Sequence, residues 1–232
     1  MFGVIINSLG IILGSTLGLV IGQRFSKELQ DQIMTILGLG VFVIGLQGAL
    51  SGGSVTVMIV SCVVGLLIGH ALQLETRLNQ LAFGLTARVV KNGDSAKVAE
   101  GFITTSLMFC VGSMSIIGSL NAGLLHSYDV LYVKTALDSI SAIIFASALG
   151  VGVVFSSVSL FIYQSFLVAI SGFLEPIMTE SMLTEIATVG GLLIMAIGCN
   201  MLKITTIKNA NLIPAILIPV LYQLVKISFN PL

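Results

Sequence analysis

Lys134 and Asp138 lie four residues apart inside an otherwise apolar run, a spacing that puts both side chains on one face of a helix. An ionisable group at the centre of a membrane helix costs roughly 2.5–3.5 kcal/mol on insertion scales, so its default reading is a pathway or binding role. Ser139 and Ser141 follow Asp138. A carboxylate flanked by hydroxyls supplies the hard oxygen donors that a sodium ion or a proton needs, which makes Asp138 the candidate sodium ligand. Replacing Asp138 by Asn is then expected to abolish cation coupling and leave the fold intact. The competing reading is a structural ion pair near the outer headgroups, neutralised by Lys134.

Other polar residues stand in apolar surroundings: Asn7 and Ser8, Gln164, Thr188, Asn200 and Asn211. Ser106, Cys110 and Ser113 form a stripe at helical spacing, with Ser115 and Ser119 beyond. Serines in helices often bond back to their own backbone, so the stripe alone does not make a site. Pro214 and Pro219 interrupt the last run and should kink or unwind it, freeing backbone carbonyls. Carbonyls freed near Asn200 or Asn211 are candidate cation ligands. His70 and His126 fall near the ends of their runs and read as interfacial. Cys62, Cys110 and Cys199 are far apart without paired spacing, which argues against a disulfide framework or zinc site. An aspartyl intramembrane protease needs two buried carboxylates and only Asp138 qualifies; a rhomboid-like serine–histidine pair is not seen. The expectation is no enzyme and no cofactor beyond a coupling sodium ion or proton.

The elements that position these residues are membrane helices. The 232 residues are 56% hydrophobic and 9% charged, with mean hydropathy +1.10, against about 25% charge in soluble domains. At about 20 residues per crossing there is room for seven or eight spans and no extramembrane domain. The expected fold is an all-α polytopic bundle, one transmembrane domain over 1–232, with spans near 2–22, 33–50, 55–74, 102–125, 130–155, 156–174, 185–202 and 211–229. The uncharged stretch from Ser139 to Leu174 is too long for one span, so a tight turn is expected near Ser156–Ser157. Gly112, Gly118 and Gly123 would suit a broken or re-entrant fourth span. The first run lacks a basic n-region and a cleavage site and reads as a retained helix.

Charge sets the orientation. With eight spans and the N-terminus outside, Arg24, Lys27, Arg77, Arg88, Lys91, Lys97, Lys203 and Lys208 all fall inside, eight of the ten basic residues. Asp129, Glu175, Glu180 and Glu185 fall outside. That obeys the positive-inside rule and leaves both termini outside a bacterial inner membrane. The cytoplasmic linker 76–100 places Leu78, Leu81, Leu85 and Val89 on the face of an amphipathic surface helix that begins at Leu74. A net charge of zero argues against nucleic acid; the expected partners are the bilayer and a small solute or cation.

Span two echoes span seven at a constant offset: Thr35 meets Thr188, Gly38 meets Gly191, Gly45 meets Gly198 and Gln47 meets Asn200. Asn7-Ser8 in span one has a weaker counterpart in Gln164-Ser165 in span six. Spans one to three would repeat as six to eight, five spans apart and therefore inverted, an architecture of many secondary transporters. Gly10, Gly14, Gly18 and Gly22 line one helix face, as do Ser61, Gly65 and Gly69, and Ala142, Ala146 and Gly150. Small residues at this spacing mean close helix packing, inside the chain or across a homodimer seam.

Several stretches carry a family resemblance: Asn7-Ser8, the segment Ser106 to Gly112, Ile117-Gly118-Ser119, Lys134 with Leu137-Asp138, Phe145 to Gly152, Tyr163-Gln164, Gly190-Gly191, and Asn211-Leu212 with Pro214. Over nearly its full length the chain resembles the prokaryotic family catalogued as domain of unknown function 554. Ser139 and Ser165 stand where that pattern more often has glycine. The resemblance implies a multi-span inner-membrane protein, labelled a sodium channel or pump without an established mechanism. A nucleotide-driven pump does not fit a chain with no phosphate-binding loop. A small secondary carrier or cation pathway is the favoured reading. The alternative is a scaffold or regulatory membrane protein whose Lys134–Asp138 pair is structural.

Overall fold

A computed structural model describes residues 1–78, 80, 95–111, 113–174 and 179–229. Every regular element among them is helical: α1 Phe2–Gly22, α2 Lys27–Ala49, α3 Val55–Ala71, α4 Ser95–Val111, α5 Ser113–Leu124, α6 Asp129–Leu149, α7 Gly152–Ala169, α8 Ser171–Leu174, α9 Glu180–Met201, a 3-10 segment Asn209–Ile216, and α10 Leu217–Phe229. Five of these, α1, α2, α6, α7 and α9, are long and apolar enough to cross a membrane. A sixth span results if α4 and α5, bent by 58° at a short break, are counted as one. The helix α3 and the stretch Asn209–Tyr222 are apolar but shorter. Leu13, Ile36 and Leu67 are 65–67% exposed on the outside of helices, where lipid rather than water accounts for them. Residues 74–78 are helical, and the rest of the expected surface helix, including Leu81, Leu85 and Val89, lies outside the described residues.

The chain forms two compact units, Met1–Ile36 with Arg77–Leu174, and Leu37–Thr76 with Glu175–Leu232. In the first, α1 runs along α6 with almost no gap. A Cβ added at Gly14 or Gly18 would land on the backbone carbonyls of Ser139 and Ile143. In lipid there is no hydrophobic force between helices, so this backbone-to-backbone approach supplies the packing. The α1 glycine face is thereby occupied within the chain. Val4, Ala122 and Leu131 close the core among α1, α5 and α6.

One boundary corrects the sequence reading. The reversal between the fifth and sixth runs sits at Gly150, not at Ser156–Ser157. Gly150 adopts φ 80° and ψ −155°, a region of backbone space open essentially to glycine alone. Both serines lie inside α7, where their hydroxyls donate to the Val153 and Val154 carbonyls at 2.6 and 2.7 Å. Serine's taste for turns is satisfied there by back-bonding to its own helix.

In the second unit the C-terminal half of α2 packs antiparallel on α9: Gly38 faces Met201 and Leu202, Gly48 faces Gly191, and Gly198 faces the Phe42 backbone. Gly65 and Gly69 of α3 lie against the backbone of Ala215 and Asn211. The expected last span, 211–229, starts as the 3-10 segment and becomes α-helical only from Leu217. Pro214 cannot donate within a helix, and Pro219 falls in the first turn of α10, where its missing N–H would be unpaired anyway.

Candidate functional site

Lys134 and Asp138 sit one turn apart on α6, 5% and 7% exposed. The lysine Nζ lies 2.8 Å from Asp138 Oδ2 and donates to Oδ1 at 3.0 Å. Because the glycines of α1 bring its backbone so near α6, Asn7 reaches the same carboxylate, donating from Nδ2 to Oδ2 at 3.2 Å. The same Nδ2 lies 3.4 Å from Gln164 Oε1 on α7. Gln164 in turn donates to the Ser115 hydroxyl on α5 at 3.1 Å. Asn7, Gln164 and Ser115 are completely buried. Five side chains from four helices therefore form one continuous network.

The network is neutral as a unit. A carboxylate and an ammonium buried apart would each carry a heavy desolvation penalty; in contact, and with the Asn7 amide donating to the carboxylate, they offset part of it. Two oxygens nearby remain unspent: Asn7 Oδ1 and Ser8 Oγ are buried with no hydrogen-bond partner among the described residues. Ser115 stands in the first turn of α5, immediately beyond the break that bends this span. The opening N–H groups of a helix have no intrahelical partner, so the break brings an electropositive helix end to the network.

Not every residue singled out from sequence joins this cluster. Ser106 Oγ is buried on α4 without a partner among the described residues, and Ser141 is half-buried on α6. The side chain of Ser113 lies outside the described residues. Ser139 donates back to the Thr135 carbonyl at 2.6 Å. Thr188, Asn200 and Asn211 belong to the second unit and close turns there. Thr188 Oγ1 accepts from Gly53 N at 3.1 Å and lies 3.0 Å from Ser51 Oγ. Asn211 Oδ1 accepts from Glu75 N at 2.9 Å while Glu75 Oε2 accepts from Ala210 N at 3.1 Å. Asn200 uses both ends of its amide on the loop that follows α9: Nδ2 donates to the Ile207 carbonyl, and Oδ1 accepts from Thr205 and Ile207. Ser115 is the network member that sequence reasoning left out of its site, although it extends the Ser106 stripe. The described residues hold no group of three or more His, Cys, Asp or Glu suited to a metal ion.

Residues 2–224 match the family described as protein of unknown function (DUF554). The chain belongs to that family. Among its relatives is the uncharacterized membrane protein YdfK of Bacillus subtilis (strain 168), 33% identical over 223 residues that cover 94% of each chain. The uncharacterized protein YqgA of Escherichia coli (strain K12) is 29% identical over 219 residues, 93% of each chain. No solved structure matches. The relatives and the apolar helices together make this a membrane protein, with the family resemblance read from Asn7, Lys134, Asp138 and Gln164 now placed on one buried network.

Proposed function

We propose that the chain is a small secondary carrier of a monovalent cation, sodium being the first ion to test, and that Lys134 is a tethered cation occupying the site at Asp138. Cargo would bind by displacing the ammonium and taking Asp138, Asn7 Oδ1 and neighbouring amide and hydroxyl oxygens as ligands. The observation that carries this is the five-residue network itself. Four helices, one of them broken beside Ser115, converge on a buried carboxylate. Broken helices at buried polar sites are a recurring device of secondary transporters.

The finer architecture follows the same reading: eight crossings with both termini outside an inner membrane, built as an inverted repeat. Counterparts in an inverted repeat meet each other only near the pseudo-two-fold axis. Asn7 and Gln164, paired by sequence echo, do meet, through their side-chain amides. Gly38 with Gly191, and Gly45 with Gly198, all fall in the α2–α9 seam. These placements support the repeat.

A scaffold role is the second reading, and the direct 2.8 Å contact of Lys134 with Asp138 favours it. Radiolabelled sodium uptake into proteoliposomes separates the two. Wild type should exceed empty vesicles, and the double variant Lys134→Gln/Asp138→Asn, which leaves no charge uncompensated, should fall to the empty-vesicle rate while remaining folded. Wild-type flux no greater than empty vesicles would demote sodium and advance the scaffold.

A further inference from the structure

The second unit contains a feature the carrier reading does not use. A cavity of about 350 Å³ opens between α3, α9 and the loop that follows α9, lined by Cys62, Leu66, Leu193, Ala196, Cys199 and Leu212. Its size lies at the lower end of the roughly 300–1,000 Å³ typical of small-molecule sites. Such sites ordinarily carry a few placed polar groups to orient a solute. Here the polar side chain at the wall, Thr205, already gives its hydroxyl hydrogen to Asn200 Oδ1 at 2.7 Å. What remains suits hydrocarbon.

The loop that forms one wall is built to stay in place. After α9, Lys203 takes a left-handed backbone conformation with φ 60°. Lys203 N donates to the Asn200 carbonyl and Ile204 N to the Cys199 carbonyl, both at 2.9 Å, the two bonds of a Schellman ending. The Asn200 amide then pins the loop at Thr205 and Ile207, the two residues that face the cavity. Lys203 and Lys208, which precede and follow these two residues in sequence, are exposed. Neither has a carboxylate within ion-pair distance among the described residues. A preorganised loop loses little freedom on binding.

An apolar cavity whose wall residues Thr205 and Ile207 lie in sequence between two exposed lysines is complementary to a molecule with a hydrocarbon tail and an anionic head. We infer that this unit holds a binding site for an anionic phospholipid, one acyl chain in the chamber and the phosphate at Lys203 and Lys208. Basic pockets between membrane helices bind such headgroups by the same physics. The site is independent of sodium transport and can stand if that proposal fails.

Cys62 and Cys199, both half-buried on the chamber wall, are built-in reporters. The purified full chain in detergent micelles is titrated with phosphatidylglycerol or phosphatidylcholine. Maleimide labelling of each thiol is then followed by peptide mass spectrometry. Phosphatidylglycerol should slow both thiols at concentrations where phosphatidylcholine does not. Lys203→Gln/Lys208→Gln should raise the phosphatidylglycerol concentration required by about thirtyfold, without changing labelling in its absence. Ala196→Phe, which fills the chamber and keeps both lysines, should remove lipid protection of whichever thiol still reacts. Equal protection by the two lipids, no protection by either, or full protection in the double lysine variant would each overturn the site.

Discussion

The two units bring helices together in the same way and use their buried polar groups differently. In both, glycines let backbone meet backbone: Gly14 and Gly18 against α6 in the first, Gly45 and Gly65 against α9 and the 3-10 segment in the second. The first unit then joins side chains from four helices to one another. Its Asn7 and Gln164 bond across helices. The second unit applies Thr188, Asn200 and Asn211 to backbone groups at turns and helix termini. A polar residue in an apolar run is thus two different objects. Where it caps backbone it completes the fold. Where it meets other side chains it links helices into a buried network.

The largest expected effect comes from splitting the charge pair. Lys134→Met or Asp138→Leu alone leaves one buried charge uncompensated and should cost about 3–5 kcal/mol, whereas the double variant should be close to neutral. Unfolding of the purified chain by added SDS in detergent measures this. Equal destabilisation by the single and double variants would show that packing, not charge, holds the pair. The second unit offers the control: Glu75→Gln removes a helix-end acceptor charge rather than a buried pair, and should cost about 1 kcal/mol or less.

Next in size are glycines in the seams. Gly14→Leu and Gly65→Leu should each destabilise by at least the 1–3 kcal/mol typical of overpacking, because backbone and not a flexible side chain blocks the new group. Similar losses are expected in both units, since the packing device is shared. A loss confined to one of them would show that the other seam can open. Under the proposed carrier function, such a loss in the first unit should also disrupt sodium uptake, because Asn7 is held at Asp138 by the same close approach.

These cases separate what the sequence makes legible from what only the fold reveals. Lys134, Asp138, Asn7 and Gln164 were legible because ionisable groups and amides are costly in lipid and must find partners. Ser115 was not, since a hydroxyl that can bond to its own helix looks the same in sequence whether or not it reaches across. The role of Asn200 was hidden for another reason. Its partners, Thr205 and Ile207, become neighbours only after Lys203 enters the left-handed region and turns the chain. Gly150 does not stand out as a turn in sequence because it lies in a small-residue stripe, Ala142, Ala146 and Gly150, that also reads as helix packing. Whole spans were easier than their ends: α1 matches the run 2–22, whereas the last span divides into two helix types.

The smallest effect tests whether glycine matters for its own sake. Gly38 and Gly40 lie two residues apart on α2, the first facing Met201 and Leu202 and the second facing open space. A Cβ at Gly38 would press on Leu202 and Met201 at about 3.0–3.1 Å, while a Cβ at Gly40 meets nothing within 4 Å. Alanine in a helix interior is favoured over glycine by about 0.8–1.0 kcal/mol. Gly40→Ala should therefore stabilise by up to that amount, and Gly38→Ala should gain less or lose, according to how far Leu202 can yield. If SDS titration ranked the two alike, α2 would be indifferent to α9 at this level. The antiparallel seam, and with it the placement of the echoed glycines, would then lose its energetic meaning.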